Sequence, residues 1–251
     1  MTTCLILTGN EVHHNFFINS LVNGLRDVNF EILKTSSLKN DFEFFYPIFS
    51  KNINKHNKAK LVQFLFDRNK KLCLEEDFQF LQSPISQKIF PDSESLHAFL
   101  DKLFLNETYD LAVTYGSPII TNHKLLDMRS FNIHFGLSRF YRGGTSNITA
   151  LAAGEFEKVG VTCHELKKTI DDGRVLFEID NPPLHDHNNI DEMNYYLLKA
   201  TIYKFIEICK KGTYDVYEIP KGALIPNNKL THDTLLNAEE NLKNLSETFN
   251  K

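Results

Sequence analysis

No long apolar run interrupts this sequence. Nothing in it approaches the roughly 18 consecutive apolar residues of a membrane-spanning helix, and it opens on a strand-like segment without a basic leader. The expectation is a chain neither exported nor anchored, working in the cytoplasm. Cysteine is sparse and scattered: Cys4, Cys73, Cys163 and Cys209 form no CxxC pair, and no Cys/His cluster has zinc spacing. That excludes a disulfide framework and a zinc finger and predicts reduced, mostly buried thiols. Surplus positive charge is missing too. With 28 Lys and Arg against 32 Asp and Glu the net charge is −4, which offers nucleic acid no general footprint. A dinucleotide fingerprint is absent as well: the turn after the first apolar run reads Gly9-Asn10-Glu11-Val12-His13-His14 where GxGxxG is required.

What is present is an α/β pattern. At 251 residues and 42% hydrophobic content, the chain can bury a substantial core as one large α/β domain. Residues 3–8 (TCLILT) form a buried strand. Gly9-Asn10 then leads into a helix with Phe16, Phe17, Leu21 and Leu25 on its apolar side. Strands are predicted at 29–34, 87–90, 109–115 and 175–179. Amphipathic helices are predicted at 93–105, with Leu96, Phe99, Leu100 and Leu103, and at 190–210, with Tyr195, Leu198, Ile202, Phe205, Ile206 and Cys209. Residues 36–81 read as a helical excursion carrying Phe42, Phe44, Phe45, Phe49 and Phe64, and past Gly212 only a tail is expected. The alternation predicts a Rossmann-like, mostly parallel sheet with flanking helices. Residues 1–180 would form the catalytic domain, with 181–251 a short C-terminal helical appendage packed on it. The adjacent pair His13-His14 at a helix start reads as solvated.

Chemistry concentrates in residues 131–176. Side chains alternate along a strand, so Asn132 and His134 leave one face while Phe131, Ile133 and Phe135 leave the other. A turn at 136–144 with Arg139 and Arg142 follows. Thr145-Ser146 then offer N-caps for a helix ending before Gly154, an arrangement suited to an anion at Arg142-Gly143-Gly144. In the next strand Thr162, His164 and Leu166 share a face, and the polar turn 167–173 delivers a carboxylate from a loop. Folded back over Asn132 and His134, that loop would place an amide donor, an imidazole and a carboxylate around one cavity. The carboxylate would favour the charged form of His134.

These residues carry a resemblance. Asn132-x-His134, Leu137, Tyr141-Arg142-Gly143, Gly160-Val161-Thr162-x-His164 and Ile170-Asp171-x-Gly173 together resemble the 10-formyltetrahydrofolate-dependent formyltransferases, over about residues 109–179. That family includes the glycinamide ribonucleotide, methionyl-tRNA and nucleotide-sugar enzymes. The departures are Gly136, Ser138 and Arg139, where many members have Ser-Leu-x-Pro. The resemblance implies Asn132, His134 and Asp171 as catalytic residues, with Asp171 preferred to Asp172 because it occupies the Asp-x-Gly slot. It implies 10-formyltetrahydrofolate as co-substrate, held between Gly116-Ser117-Pro118 and the segment with His164, Lys167 and Ile170, and it requires no metal. Gly9-Asn10-Glu11 is similar to the opening of small nucleotide-sugar formyltransferases and departs from the Gly-rich phosphate turn of the glycinamide ribonucleotide enzyme. The implied acceptor is therefore the amine of a nucleotide-linked amino sugar of O-antigen or lipopolysaccharide biosynthesis, contacted by Asn10, His14, Tyr141 and Arg142. Glycinamide ribonucleotide, or water in a formyltetrahydrofolate hydrolase, are the alternative acceptors, and a non-catalytic folate- or nucleotide-binding relative comes last. Residues 211–251 carry five Lys against two Asp and four Glu, a net of −1, unlike the basic C-terminal domain of the tRNA enzyme, so no nucleic acid partner is expected. No membrane partner is expected either, and the phenylalanine-rich middle would suit a homodimer.

Overall fold

The computed structural model describes residues 2–36, 87–225 and 230–249. The proposed excursion with its phenylalanines, and Cys73, lie outside the described residues. The central strand β1 (Thr2–Thr8) is flanked by β2 (Val28–Thr35) and β4 (Leu111–Tyr115), both parallel to it. On one side β3 (Gln87–Phe90) extends the sheet. On the other follow β5 (Ser130–His134), β7 (Val161–Glu165) and β8 (Val175–Ile179), giving the order β3-β2-β1-β4-β5-β7-β8. Every pair is parallel up to β4–β5, whereas β5–β7 and β7–β8 are antiparallel. The expectation of a mostly parallel α/β sheet holds, with an antiparallel edge where the chemistry lies.

Both faces are covered, which is why the inner strands are apolar throughout. Cys4, Ile6, Val113, Phe131 and Ile133 pack with helix α1 (Val12–Gly24) and the long helix α5 (Ile190–Lys211). Leu5, Leu7 and Ala112 face helix α2 (Ser93–Asn106) and the short α3 (His123–Asp127). Asp92 caps α2 by accepting from Ser95 N at 2.8 Å, and Asn189 caps α5 by accepting from Glu192 N at 3.0 Å. At the other end of α5, Gly212 takes φ +69° as the left-handed stop. On α2 the fully buried positions are Leu96, Leu100 and Phe104, with Phe99 and Leu103 at the margin.

The stretch after Gly212 is more than a tail. Ala223–Leu224 (β9) pairs in parallel with Tyr141–Arg142 (β6), and His232–Phe249 forms an 18-residue helix, α6. Leu235, Ala238 and Leu242 place α6 in the same core as α5, packed on α4 (Ser146–Ala152). Each leucine so buried contributes on the order of 2 kcal/mol. Asn241 Nδ2 donates to the carbonyls of Leu151 and Ala152 at 2.8 and 3.3 Å, satisfying the open end of α4.

The winding reverses between β1 and β4, the position at which open α/β sheets leave a crevice beyond the strand carboxyl ends. The turns after β1 (Gly9-Asn10) and β4 (Gly116-Ser117-Pro118) meet there, one strand away from β5.

Candidate functional site

The site is built where β5 and β7 run side by side. Phe131 and Ile133 enter the core, turning Asn132 and His134 to the opposite face. The antiparallel register sets Asn132 directly opposite His164. Thr114, aligned with Asn132 on β4, donates its hydroxyl to Asn132 Oδ1 at 2.7 Å and so turns the amide nitrogen toward Asp171. Asp171 arrives from the β7–β8 loop in the left-handed conformation, φ +48°, which a short polar side chain tolerates better than most.

Asp171 is nearly buried, and each of its oxygens has two neighbours. Oδ2 accepts from Gly143 N–H at 2.8 Å and lies 3.2 Å from His134 Nδ1. Oδ1 lies 3.2 Å from Asn132 Nδ2 and 3.3 Å from His164 Nε2, which are themselves 3.3 Å apart. His164 Nδ1, 2.7 Å from the Glu165 carbonyl, is a donor in that contact, and its Nε2 faces both Asn132 Nδ2 and Asp171 Oδ1.

Burial alone would raise the Asp171 carboxyl, but His134, His164 and the Gly143 N–H together outweigh it and hold the group well below the usual carboxylate range. Asp171 is ionised. For His134 the balance goes the other way. Burial pulls its imidazole down, Asp171 restores only part of the loss, and His164 opposes protonation further. The expectation that the carboxylate keeps His134 charged is thus corrected by desolvation. Its Nδ1 proton faces Asp171, and Nε2, 3.3 Å from the Tyr141 carbonyl, bonds that oxygen only once protonated. The pair is arranged to take up a proton and then to donate it. Gly136 is obligatory beside it, since a Cβ there would sit 2.5 Å from His134 Nε2 and 2.4 Å from Ser146 Cβ. Its neighbours in the divergent stretch are tied down too: Ser138 N donates to Thr162 Oγ1 at 3.0 Å, and Arg139 pairs with Glu178 and Asp180.

The other predicted residues distribute around this centre. The anion loop is filled from within: Gly143 N–H holds Asp171, while Arg142 bonds Asp172 at 3.1 Å and the Gly222 carbonyl at 3.0 Å. Tyr141 lends its carbonyl to His134 and its hydroxyl to Glu155. At the first turn Asn10 is exposed, but His14 is not the solvated residue expected, being 4% exposed. Its ring fills the space left by two glycines, for a Cβ on Gly9 or Gly116 would come within 2.4 or 2.3 Å of it. His14 Nδ1 accepts from Glu11 N at 3.2 Å while Glu11 accepts from the His14 backbone, a capping box for α1. Glu11, His13 and His14 also form the one cluster among the described residues with metal-ligand composition. Two of its three groups are committed to that cap.

Gly116 has φ +60°, and Ser117 donates to the Pro118 carbonyl at 3.2 Å. Lys167 is exposed, 3.6 Å from Glu165, and Ile170 is 39% exposed. A cleft of about 270 Å³ is lined by residues 126–131, Glu165, Leu166, Lys167, Arg174, Tyr214 and Val216. It takes in Lys167, whereas Asn132, His134 and Asp171 lie outside its lining. Sequence reasoning missed Thr114, although a lone hydroxyl in the buried run LAVTY was a visible signal. It also missed the Gly143 N–H and the Tyr141 carbonyl, which no side-chain pattern announces.

No family model and no curated protein matches the chain. Solved structures do. A sugar N-formyltransferase from a Shewanella species is 18% identical, with a TM-score of 0.54, covering 95% of this chain and 88% of that one. The N-formyltransferase from Helicobacter canadensis, in complex with folinic acid and dTDP-3-aminofucose, is 15% identical with TM-score 0.54, over 95% and 80% of the two chains. Glycinamide ribonucleotide transformylase 1 from Symbiobacterium toebii is 14% identical with TM-score 0.55, over 87% and 94%. The chain thus has the fold of the sugar N-formyltransferases and the glycinamide ribonucleotide transformylases.

Proposed function

We propose that this protein transfers a formyl group from 10-formyltetrahydrofolate to the amine of a nucleotide-linked amino sugar. The observation that carries the proposal is the convergence of Asn132 and His134, from one strand, on Asp171 from a distant loop, each at 3.2 Å. Attack of a neutral amine on a formyl carbon places negative charge on the formyl oxygen and leaves an extra proton on nitrogen. The Asn132 amide is the donor for that oxygen, and a preorganised donor of this kind is worth roughly 3 kcal/mol. His134, backed by Asp171, takes up the amine's proton at Nε2 and returns a proton to folate N10 as the tetrahedral adduct collapses and the bond from the formyl carbon to N10 breaks, releasing tetrahydrofolate. The Asp171 carboxylate holds the ring and balances its charge.

For the folate, the reading takes Gly116, Ser117 and Pro118 at the end of β4, and His164, Lys167 and Ile170 around the β7–β8 loop. For the acceptor it takes Asn10, His14, Tyr141 and Arg142. The dTDP-sugar and folate analogue bound by the Helicobacter enzyme support this pair of ligands. On this reading the enzyme works in the cytoplasm, as a homodimer and without a metal, supplying sugars for O-antigen or lipopolysaccharide assembly. Glycinamide ribonucleotide is the second acceptor, favoured by the similarity to the Symbiobacterium transformylase.

The test is an assay of the purified protein with 10-formyltetrahydrofolate against dTDP-, GDP- and UDP-linked amino sugars, glycinamide ribonucleotide and no acceptor. Formylation of an amino sugar is expected. Turnover with glycinamide ribonucleotide alone, or formate release without any amine, would replace the acceptor by the ribonucleotide or by water.

A further inference from the structure

One short segment after α5 touches both loops that complete the Asp171 centre. At its start, Tyr217 exchanges two backbone hydrogen bonds with Val175, at 2.9 and 2.8 Å, just beyond the Asp171 loop. At its end, Gly222 N, Ala223 N and Ile225 N donate to the carbonyls of Ser138, Phe140 and Arg142 at 2.9, 2.9 and 2.8 Å, along the loop that supplies the Gly143 N–H and the Tyr141 carbonyl. Between these anchors Lys221 Nζ donates to the carbonyls of Asp172 and Gly173 at 3.0 and 3.1 Å. The approach is close: a Cβ on Gly222 would come within 2.2 Å of the Phe140 backbone, and one on Gly143 within 2.3 Å of the Ile225 carbonyl. Asp171 itself occupies the left-handed region, where an L side chain costs on the order of 1 kcal/mol, so surrounding contacts must hold it there.

We propose that residues 217–225 act as a strap and that Lys221 is its positioning residue. By tethering the two carbonyls that follow Asp171, Lys221 keeps the carboxylate in reach of His134 Nδ1 and the Gly143 N–H. Lys221 touches none of the reacting groups, and the proposal rests on the assignment of Asn132, His134 and Asp171 as those groups.

Lys221→Met keeps the aliphatic stem and removes the donors. It should lower kcat about tenfold with KM for either substrate within about twofold, while Lys221→Arg restores most of the loss. Gly222→Ala, which drives a methyl into Phe140, should have the same signature more strongly. An independent readout is the NMR titration of the His134 imidazole, which faces Asp171 and His164. Its midpoint should fall in Lys221→Met as the carboxylate draws away, and recover in Lys221→Arg. A wild-type His134 titration in folded Lys221→Met overturns the proposal, whether or not stability has dropped. If the wild type formylates no acceptor but the His134 midpoint still moves, the strap stands and the assignment of function fails.

Discussion

The half-buried His13 and buried His14 of the first turn should make the protein sensitive to mild acid, in a window that opens above that of its carboxylates. Burial pulls His13 from its ordinary value of 6.5 to about 4. His14, enclosed by Gly9 and Gly116, is held well below 6.5 by burial, then by His13 and Lys34. A histidine whose folded pKa lies below its unfolded value leaves the unfolded chain binding more protons. Stability is then fully present above about pH 6.5 and is lost as the pH falls toward the folded pKa. At 1.36 kcal/mol per unit, the His13 shift corresponds to about 3 kcal/mol by roughly pH 4, an upper bound because some of the ring reaches solvent. For a chain this long that is a fall of roughly 6 to 12 °C in Tm. His14 and His134 act in the same direction. Asp171, whose carboxyl is depressed, loses its contribution only below the ordinary carboxylate value and so does not enter this window. The measurement is calorimetric Tm from pH 7.5 to 4.5 in wild type and in His13→Gln/His14→Gln. A glutamine at position 14 can still accept from Glu11 N, so the cap survives while the titration goes. The double variant should lose most of the slope, His134 and His187 keeping the remainder. A wild-type slope in the double variant, or a flat wild-type profile, would refute the reasoning.

Three further outcomes follow from the site and core. Alanine at Asn132, His134 or Asp171 should each leave the fold intact and cut turnover by roughly 10² to 10³, while Asp172→Ala, which removes only the Arg142 partner, stays within about tenfold of wild type. Steady-state kinetics check that ranking, and near wild-type activity in His134→Ala would sink the mechanism. On the proposed reading, Asn10→Ala should raise KM for the sugar nucleotide with KM for the folate unchanged; equal rises in both would make the turn structural. Leu242→Ala should cost roughly 2 to 5 kcal/mol in denaturant unfolding by opening a cavity between α6 and the core, and a loss below 1 kcal/mol would mean α6 adds little to stability.

Local signals carried far in this chain. β3 and β8 stand at the residues where alternation and turn chemistry put them, and the opposite faces of Asn132 and Phe131 follow from strand parity alone. What escaped reading was nonlocal. His14 is buried because Gly116, far along the chain, leaves room for its ring, and no property of the His13-His14 pair announces that. The protonation of His134 depends on its burial, whereas the folded-back loop suggested only the effect of the Asp171 carboxylate. The strap at 217–225 makes mostly backbone bonds, which leave no side-chain pattern. α6 is different: Leu235, Ala238, Leu242 and Leu245 show helical spacing, and the polar residues between them obscured it.

The register of β5 against β7 makes the site a matter of parity. Asn132 meets His164 because each is an odd step from a core residue, Phe131 pairing with Glu165 and Ile133 with Cys163. The connection between the two strands is constrained as well where Gly136, Tyr141 and Gly143 complete the site. A single-residue deletion inside either strand would exchange its faces, offering Asp171 a phenylalanine and a thiol where the amide and the imidazole stood, and sending those polar groups into the core. In a library of one-residue deletions, the windows 130–134 and 161–165 should be intolerant, as should the turns that carry Gly136, Gly143 and Asp171.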